Sequence, residues 1–155
     1  MSAVLYNAGA WYNLTKNEIK QLQSLDSMFF CRLCQIPQKG PIESFYLEFG
    51  EIDFHTIIKT RRIIYFHNLI NREKSQMIYS FLTSQMANTV KGDWYLQVLQ
   101  DMDDFNLTSD LHYYQNISEN KFKEIIKIRS KSFAFRKFML EKQNHSKCEI
   151  CVMKA

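Results

Sequence analysis

Glycine and proline are scarce in this chain, with four and two in 155 residues. An all-β fold of many short strands needs turn residues at regular intervals, so that class is excluded and helices are favoured. Long apolar runs are missing too: nothing approaches the roughly 20 residues that span a bilayer. The first residues lack the basic, then apolar, then small-residue order of a secretory signal. An intracellular protein, nuclear or cytoplasmic and without a membrane partner, is the expectation. Four cysteines do not make a disulfide scaffold at this length, and inside a cell they stay reduced. There the sequons at Asn13, Asn106 and Asn116 are incidental. No P-loop, nucleophile-elbow or HExxH spacing is present, so neither enzymatic activity nor a cofactor is expected.

What is present fits one globular domain over residues 1–155, with 46% apolar and 23% charged residues. Lys91-Gly92 follows a polar stretch, which makes residues 89–92 a candidate hinge. Aromatic residues are plentiful, twelve Phe and eight Tyr, for a core or for a partner. The net charge is a mild +4, but it is unevenly spread. Between Lys121 and Lys142 eight Lys or Arg face only Glu124 and Glu141, which leaves the rest slightly acidic. Such a segment suits nucleic acid or an acidic surface, and it equally suits a solvated helix face.

The pattern along the chain predicts an all-α, irregular bundle of about six helices. Thr15 with Glu18 forms a capping box, and Ile19, Leu22, Leu25, Phe29 and Leu33 continue it at helical spacing, which predicts a helix from about Thr15 to Cys34. Pro37 and the Lys39-Gly40-Pro41 turn stop it. A short helix is expected through Phe45, Tyr46 and Leu47. Asp53 caps the next, the most strongly patterned, through Ile57, Ile58, Arg61, Ile64, Tyr65, Asn68 and Leu69. Ser75 to Met86 reads as a helix with Met77, Ile78, Phe81 and Leu82 as its stripe. Asp93 then caps one carrying Trp94, Val98, Leu99 and Met102. The polar stretch from Asn106 to Asn116 is ambiguous. Ser118 starts a final basic helix whose apolar face is Phe122, Ile125, Ile126, Phe133 and Phe138.

Three motifs in series carry a resemblance: Leu5-Tyr6-Asn7-Ala8-Gly9-Ala10-Trp11-Tyr12-Asn13-Leu14-Thr15, then Phe45-Tyr46-Leu47-Glu48-Phe49-Gly50, then Ile58-Lys59-Thr60-Arg61-Arg62-Ile63-Ile64-Tyr65-Phe66-His67-Asn68-Leu69-Ile70. In order and spacing they resemble the region that follows the palm in reverse transcriptases of non-LTR retrotransposons. The likeness covers roughly the first 85 residues and continues more loosely to the basic final helix. It implies the thumb and post-thumb region, which packs against the template–primer duplex. The palm with its paired metal-binding aspartates would lie upstream of Met1. Gly9 and Ala10 stand where the family has an acidic residue before the tryptophan. A fragment, a decayed copy or a retained piece of such a polymerase is expected, with RNA or RNA–DNA hybrid, a separate palm or another protein as partner.

Arg61 and Arg62 are the leading candidates for phosphate contact, together with Lys59 and His67. Adjacent residues on a helix point about 100° apart, so one arginine can face a phosphate while the other pairs with an acid such as Glu48 or Glu51. On the last helix Lys123, Lys127, Lys131 and Arg136 would act through counterion release, without reading sequence. Phe133, Phe135 and Phe138 could stack on bases, but aromatics at this spacing usually form core. Cys31 and Cys34 read as small hydrophobes within a helix. His145, Cys148 and Cys151 have ligand-like spacing, but nothing follows to complete four zinc ligands, and no metal site is assigned. Asp101, Asp103 and Asp104 read as a solvated face, since two-metal chemistry needs carboxylates on rigid strands. A helical protein–protein interaction module, or a fragment without function, is the alternative.

Overall fold

The computed structural model describes residues 7–11, 14–35, 46, 52–72, 76–107, 113–114 and 116–152, with the backbone alone described at 30 and 141–152. Within them lie a 3-10 turn (Ala8–Ala10) and five helices: α1 (Lys16–Leu33), α2 (Phe54–Ile70), α3 (Met77–Ala87), α4 (Trp94–Asp104) and α5 (Glu119–Val152). No strand occurs among the described residues. The fold is all-α. The expected short helix at 45–47, apart from Tyr46, and the proline loop at 37–41 fall outside the described residues, as do Glu48 and Glu51.

Local chemistry explains the helix starts. The Thr15 amide donates to Glu18 Oε2 at 2.7 Å and the Glu18 amide donates to Thr15 Oγ1 at 3.3 Å, which completes the capping box ahead of α1. At α2, Asp53 Oδ1 accepts from the Thr56 amide at 2.7 Å. Asp93 occupies the N-cap of α4, but its carboxylate points backward and accepts from the Val90 amide at 2.8 Å. Together with the Asp93 amide donating to the Val90 carbonyl at 3.0 Å and Gly92 at φ 96°, this closes a tight turn over the candidate hinge.

Every other element packs on α2. It therefore buries residues around most of its circumference, from Phe54 and Ile58 at one end to Phe66, Leu69 and Ile70 at the other. Helix α5 runs antiparallel to it, since Asp53 meets Lys137 near one end and His67 meets Phe122 near the other. Helix α4 is antiparallel as well, with Trp94 beside Tyr65 and Asp101 beside Arg62. The main core lies among these three helices and includes Ile63, Phe66, Val98, Met102, Phe105, Phe122 and Ile126. A smaller cluster of Ala8, Phe54 and Ile58, flanked by Trp11, Leu14 and Leu22, joins the 3-10 turn and α1 to α2.

Two expected apolar stripes are only partly used. On α1, Leu25, Phe29 and Leu33 are about half or more exposed, and among the described side chains the buried positions are Asp26, which binds the Tyr46 hydroxyl, and Cys31. On α3 only Leu82 is buried, with Ile78 partly packed, while Met77 and Phe81 face outward. Periodicity identifies a face with apolar residues, but burial also needs a neighbouring element across from it.

The 3-10 turn lies so close to α2 that a Cβ at Gly9 would come 2.7 Å from Tyr65 Cβ and 3.1 Å from the Arg61 carbonyl oxygen. The Gly9 carbonyl also accepts from the Trp94 indole at 3.0 Å. Residue 9 thus sets the spacing of three segments. Gly9→Ala is expected to destabilise the fold by about 1–3 kcal/mol, read as a lower urea midpoint. An unchanged midpoint would show that the turn does not rest on α2.

Candidate nucleic-acid interface

The residues proposed for nucleic-acid contact divide into an interior group and an exposed group. Lys59, Arg62 and His67 are buried, at 8%, 5% and 2% exposure. Arg62 Nη1 donates to Asp101 Oδ2 at 2.7 Å, and the Lys59 ammonium pairs with Asp104 and lies 3.7 Å from Asp101 Oδ1. That ammonium also sits 5.2 Å above the Phe133 ring, so α5 closes over the ion cluster. The His67 ring stacks on Phe122 with centroids 4.0 Å apart, and its Nε2 is 3.1 Å from the Tyr114 carbonyl oxygen and 3.2 Å from Asn71 Nδ2. These three side chains are spent on packing and cannot reach a phosphate without leaving the core.

Asp101 corrects the expectation of a solvated acidic face. It is fully buried, because it lies on the inner side of α4 opposite Arg62. Burial pushes its carboxyl up to about 6 against the pull of Arg62 and Lys59, with Asp104 adding to the rise. Burial likewise lowers the Arg62 guanidinium from its ordinary value, with Asp101 opposing. Desolvation therefore taxes both partners of the pair. Asp103, by contrast, is exposed as expected. Nearby, burial and the Lys59 cation hold His55 down at about 4.

Arg61 is exposed, about 100° around α2 from Arg62, and borders a polar groove with Asn7, Gly9, Tyr65 and Asn68. The expected split of the arginine pair is present, with Asp101 as the acid.

The remaining candidates lie on α5. Its inward line is Phe122, Ile126, Ser130, Phe133 and Lys137, at helical spacing. Phe122, Ile126 and Ser130 are buried, Phe133 packs on Phe105 at 5.3 Å, and Lys137 donates to Asp53 Oδ2 at 2.7 Å. Phe133 is core as expected. Lys123 pairs with Glu119 at 2.5 Å on the surface, one turn away. Arg136 donates to the Asp104 carbonyl at 3.3 Å, and with the Asn106 amide turned to accept, also to Asn106 at 2.9 and 3.2 Å.

Lys121, Lys127 and Lys131 are exposed away from this line, and Arg129 is exposed at its flank. None of these four pairs with a described acid. The sequence shows the basic character of the helix but does not single out Lys121 and Arg129. The outward position of Lys121 follows once Phe122 and Ile126 are known to point inward, since α-helical geometry then fixes its azimuth, whereas Arg129 is exposed at the flank of the inward line. Ile128 and Phe135 share this outward side at 70% and 53% exposure.

Among the described residues no three metal-ligating side chains converge; Cys31 and Cys34 form no disulfide, and the side chains of His145, Cys148 and Cys151 fall outside that set. Among the described residues no helix is long and apolar enough to cross a membrane. Compared with protein-family models, curated proteins and solved structures, the chain matches none.

Proposed function

We propose that this protein is a non-catalytic helical module that contacts RNA or an RNA–DNA hybrid through the phosphate backbone, as its likeness to the reverse-transcriptase thumb region implies. The observation that carries the reading is the contrast between its cations. Lys59 and Arg62 are neutralised inside the fold, whereas Lys121, Lys127, Arg129 and Lys131 stand exposed and without a described ion-pair partner on one helix. Positions 127 and 131 are one turn apart, about 6 Å along the axis, and 121 to 131 spans about 15 Å. Exposed cations spaced along a helix bind by releasing condensed counterions, a term that is independent of sequence and steep in salt. The contact surface is thus α5, with Arg61 as an outlying contributor.

Fluorescence anisotropy with a labelled oligonucleotide across a salt series tests this. Log K should fall linearly with log salt, and Lys127→Glu with Lys131→Glu should weaken binding and reduce the slope by about 2. No binding at 50 mM salt would overturn the proposal.

A second reading, a protein–protein interaction module, is favoured by the exposed Leu25, Phe29 and Leu33 of α1, which recur at four-residue spacing. Under that reading Leu25→Glu would abolish association with the partner and leave oligonucleotide binding unaffected.

A further inference from the structure

We propose that the outward face of α5 selects unpaired nucleic-acid strands over duplex, with Phe135 stacking on a base while Lys127 and Lys131 hold the flanking phosphates; this rests on the backbone-contact reading above. Phosphate contact alone gives no reason for apolar side chains in the row. Yet Ile128, Lys131 and Phe135 follow one another at i, i+3 and i+7, and Met139 continues the line at 43% exposure. Apolar and cationic groups alternate there rather than lying on separate faces.

A duplex presents mainly phosphates and sugars to a single helix lying against it, so Phe135 would meet charged oxygens and desolvate them without return. An unpaired strand presents both chemistries at once. Its bases offer π faces to Phe135 and apolar surface to Ile128, and its phosphates lie within reach of the lysines. Support for the face is rigid, because the inner line of α5 is anchored by Phe122 and Ile126 in the core and by the Lys137–Asp53 pair. Little ordering remains to be done on binding.

An anionic membrane surface would also attract lysines beside apolar groups. Interfacial helices, however, gather their apolar residues into one broad face and keep cations on the polar side. Here Lys131 lies between Ile128 and Phe135, and Glu124 is exposed one turn before Ile128, so insertion of the apolar groups would carry charges with them. The alternation therefore favours a strand.

The test uses the full chain and 20-mers of mixed sequence: single-stranded RNA, single-stranded DNA, the duplex and an RNA–DNA hybrid hairpin. Flotation with phosphatidylserine-containing vesicles runs beside them. Single strands should bind at least about tenfold more tightly than duplex at equal salt. Phe135→Ala should weaken single-strand binding about tenfold, leave duplex binding unchanged and leave the salt slope unaltered, while Phe135→Trp restores affinity. Circular dichroism confirms that each variant keeps its helices. Equal affinity for duplex, or a Phe135→Ala variant that binds single strands as the parent does, overturns the inference while the backbone-contact reading stands. Vesicle binding without oligonucleotide binding at 50 mM salt overturns both.

Discussion

Replacing Arg62 with alanine is expected to cost about 3–5 kcal/mol of folding stability, because it leaves Asp101 as a fully buried carboxylate without its hydrogen-bonded cation. Lys59 compensates only in part. Its ammonium lies 3.7 Å from Asp101 Oδ1, beyond hydrogen-bond reach, and is already held by Asp104. Against a domain stability of about 5–15 kcal/mol this is a large fraction. The double replacement Arg62→Met with Asp101→Leu should restore much of the loss, since removing both charges also removes both desolvation penalties. Arg61→Ala, one residue away and exposed, should cost much less than Arg62→Ala. Urea denaturation of the four proteins gives the answer. If Arg61→Ala and Arg62→Ala shift the midpoint equally, the interior ion pair is not what holds α4 to α2.

Stability should vary little with pH between about 4 and 6.5, as the result of two opposing slopes rather than of inert groups. His55 is lowered from 6.5 to about 4, chiefly by burial. The unfolded chain then takes up its proton first, so this contribution is fully present above pH 6.5 and is lost as pH falls towards 4. Asp101 is raised from 3.8 to about 6, again chiefly by burial, with Arg62 and Lys59 opposing. In this case the folded chain takes up the proton first, so its contribution is gained as pH falls through 6 and is lost as pH rises from 3.8 to 6. The two windows overlap and the signs are opposite. His55→Gln should therefore unmask the Asp101 slope, with the urea midpoint rising as pH drops from 6 to 4. Asp101→Asn should unmask the other, with the midpoint falling over 6.5 to 4. A His55→Gln protein whose midpoint falls with pH across that window would show that Asp101 is not the group resisting ionisation. Below the window Asp53 takes over: burial raises its carboxyl, but Lys137 and the Thr56 amide outweigh this and hold it below 3.8, so that contribution is lost on further acidification.

Arg61 and Arg62 show how far sequence reading reaches. That adjacent arginines on a helix divide between solvent and interior follows from the 3.6-residue period alone. Which of them turns inward, and that its partner is Asp101, 39 residues on, depends on the way α4 crosses α2. Asp101 itself shows why a solvated acidic run is a weak inference: Asp103 is exposed while Asp101, two positions earlier, is buried. His67 illustrates the same limit, since a histidine among phosphate-binding candidates proves to stack on Phe122 beneath α5. The basic row of α5 was visible in composition, but its outward members were not separable from Lys137, which turns back to Asp53.

The amino-acid sequence by itself determined the helical class and the start of most helices. The Thr15–Glu18 capping box, the Asp53 cap and apolar recurrence act between residues three and four apart, within the reach of local hydrogen bonds and side-chain contacts. Tertiary structure alone decided which apolar stripe is covered, which cations are neutralised and which way α5 faces. Burial belongs to pairs of elements, and no pattern within Leu25, Phe29 and Leu33 distinguishes them from Ile63, Phe66 and Ile70 until the neighbours of each helix are in place.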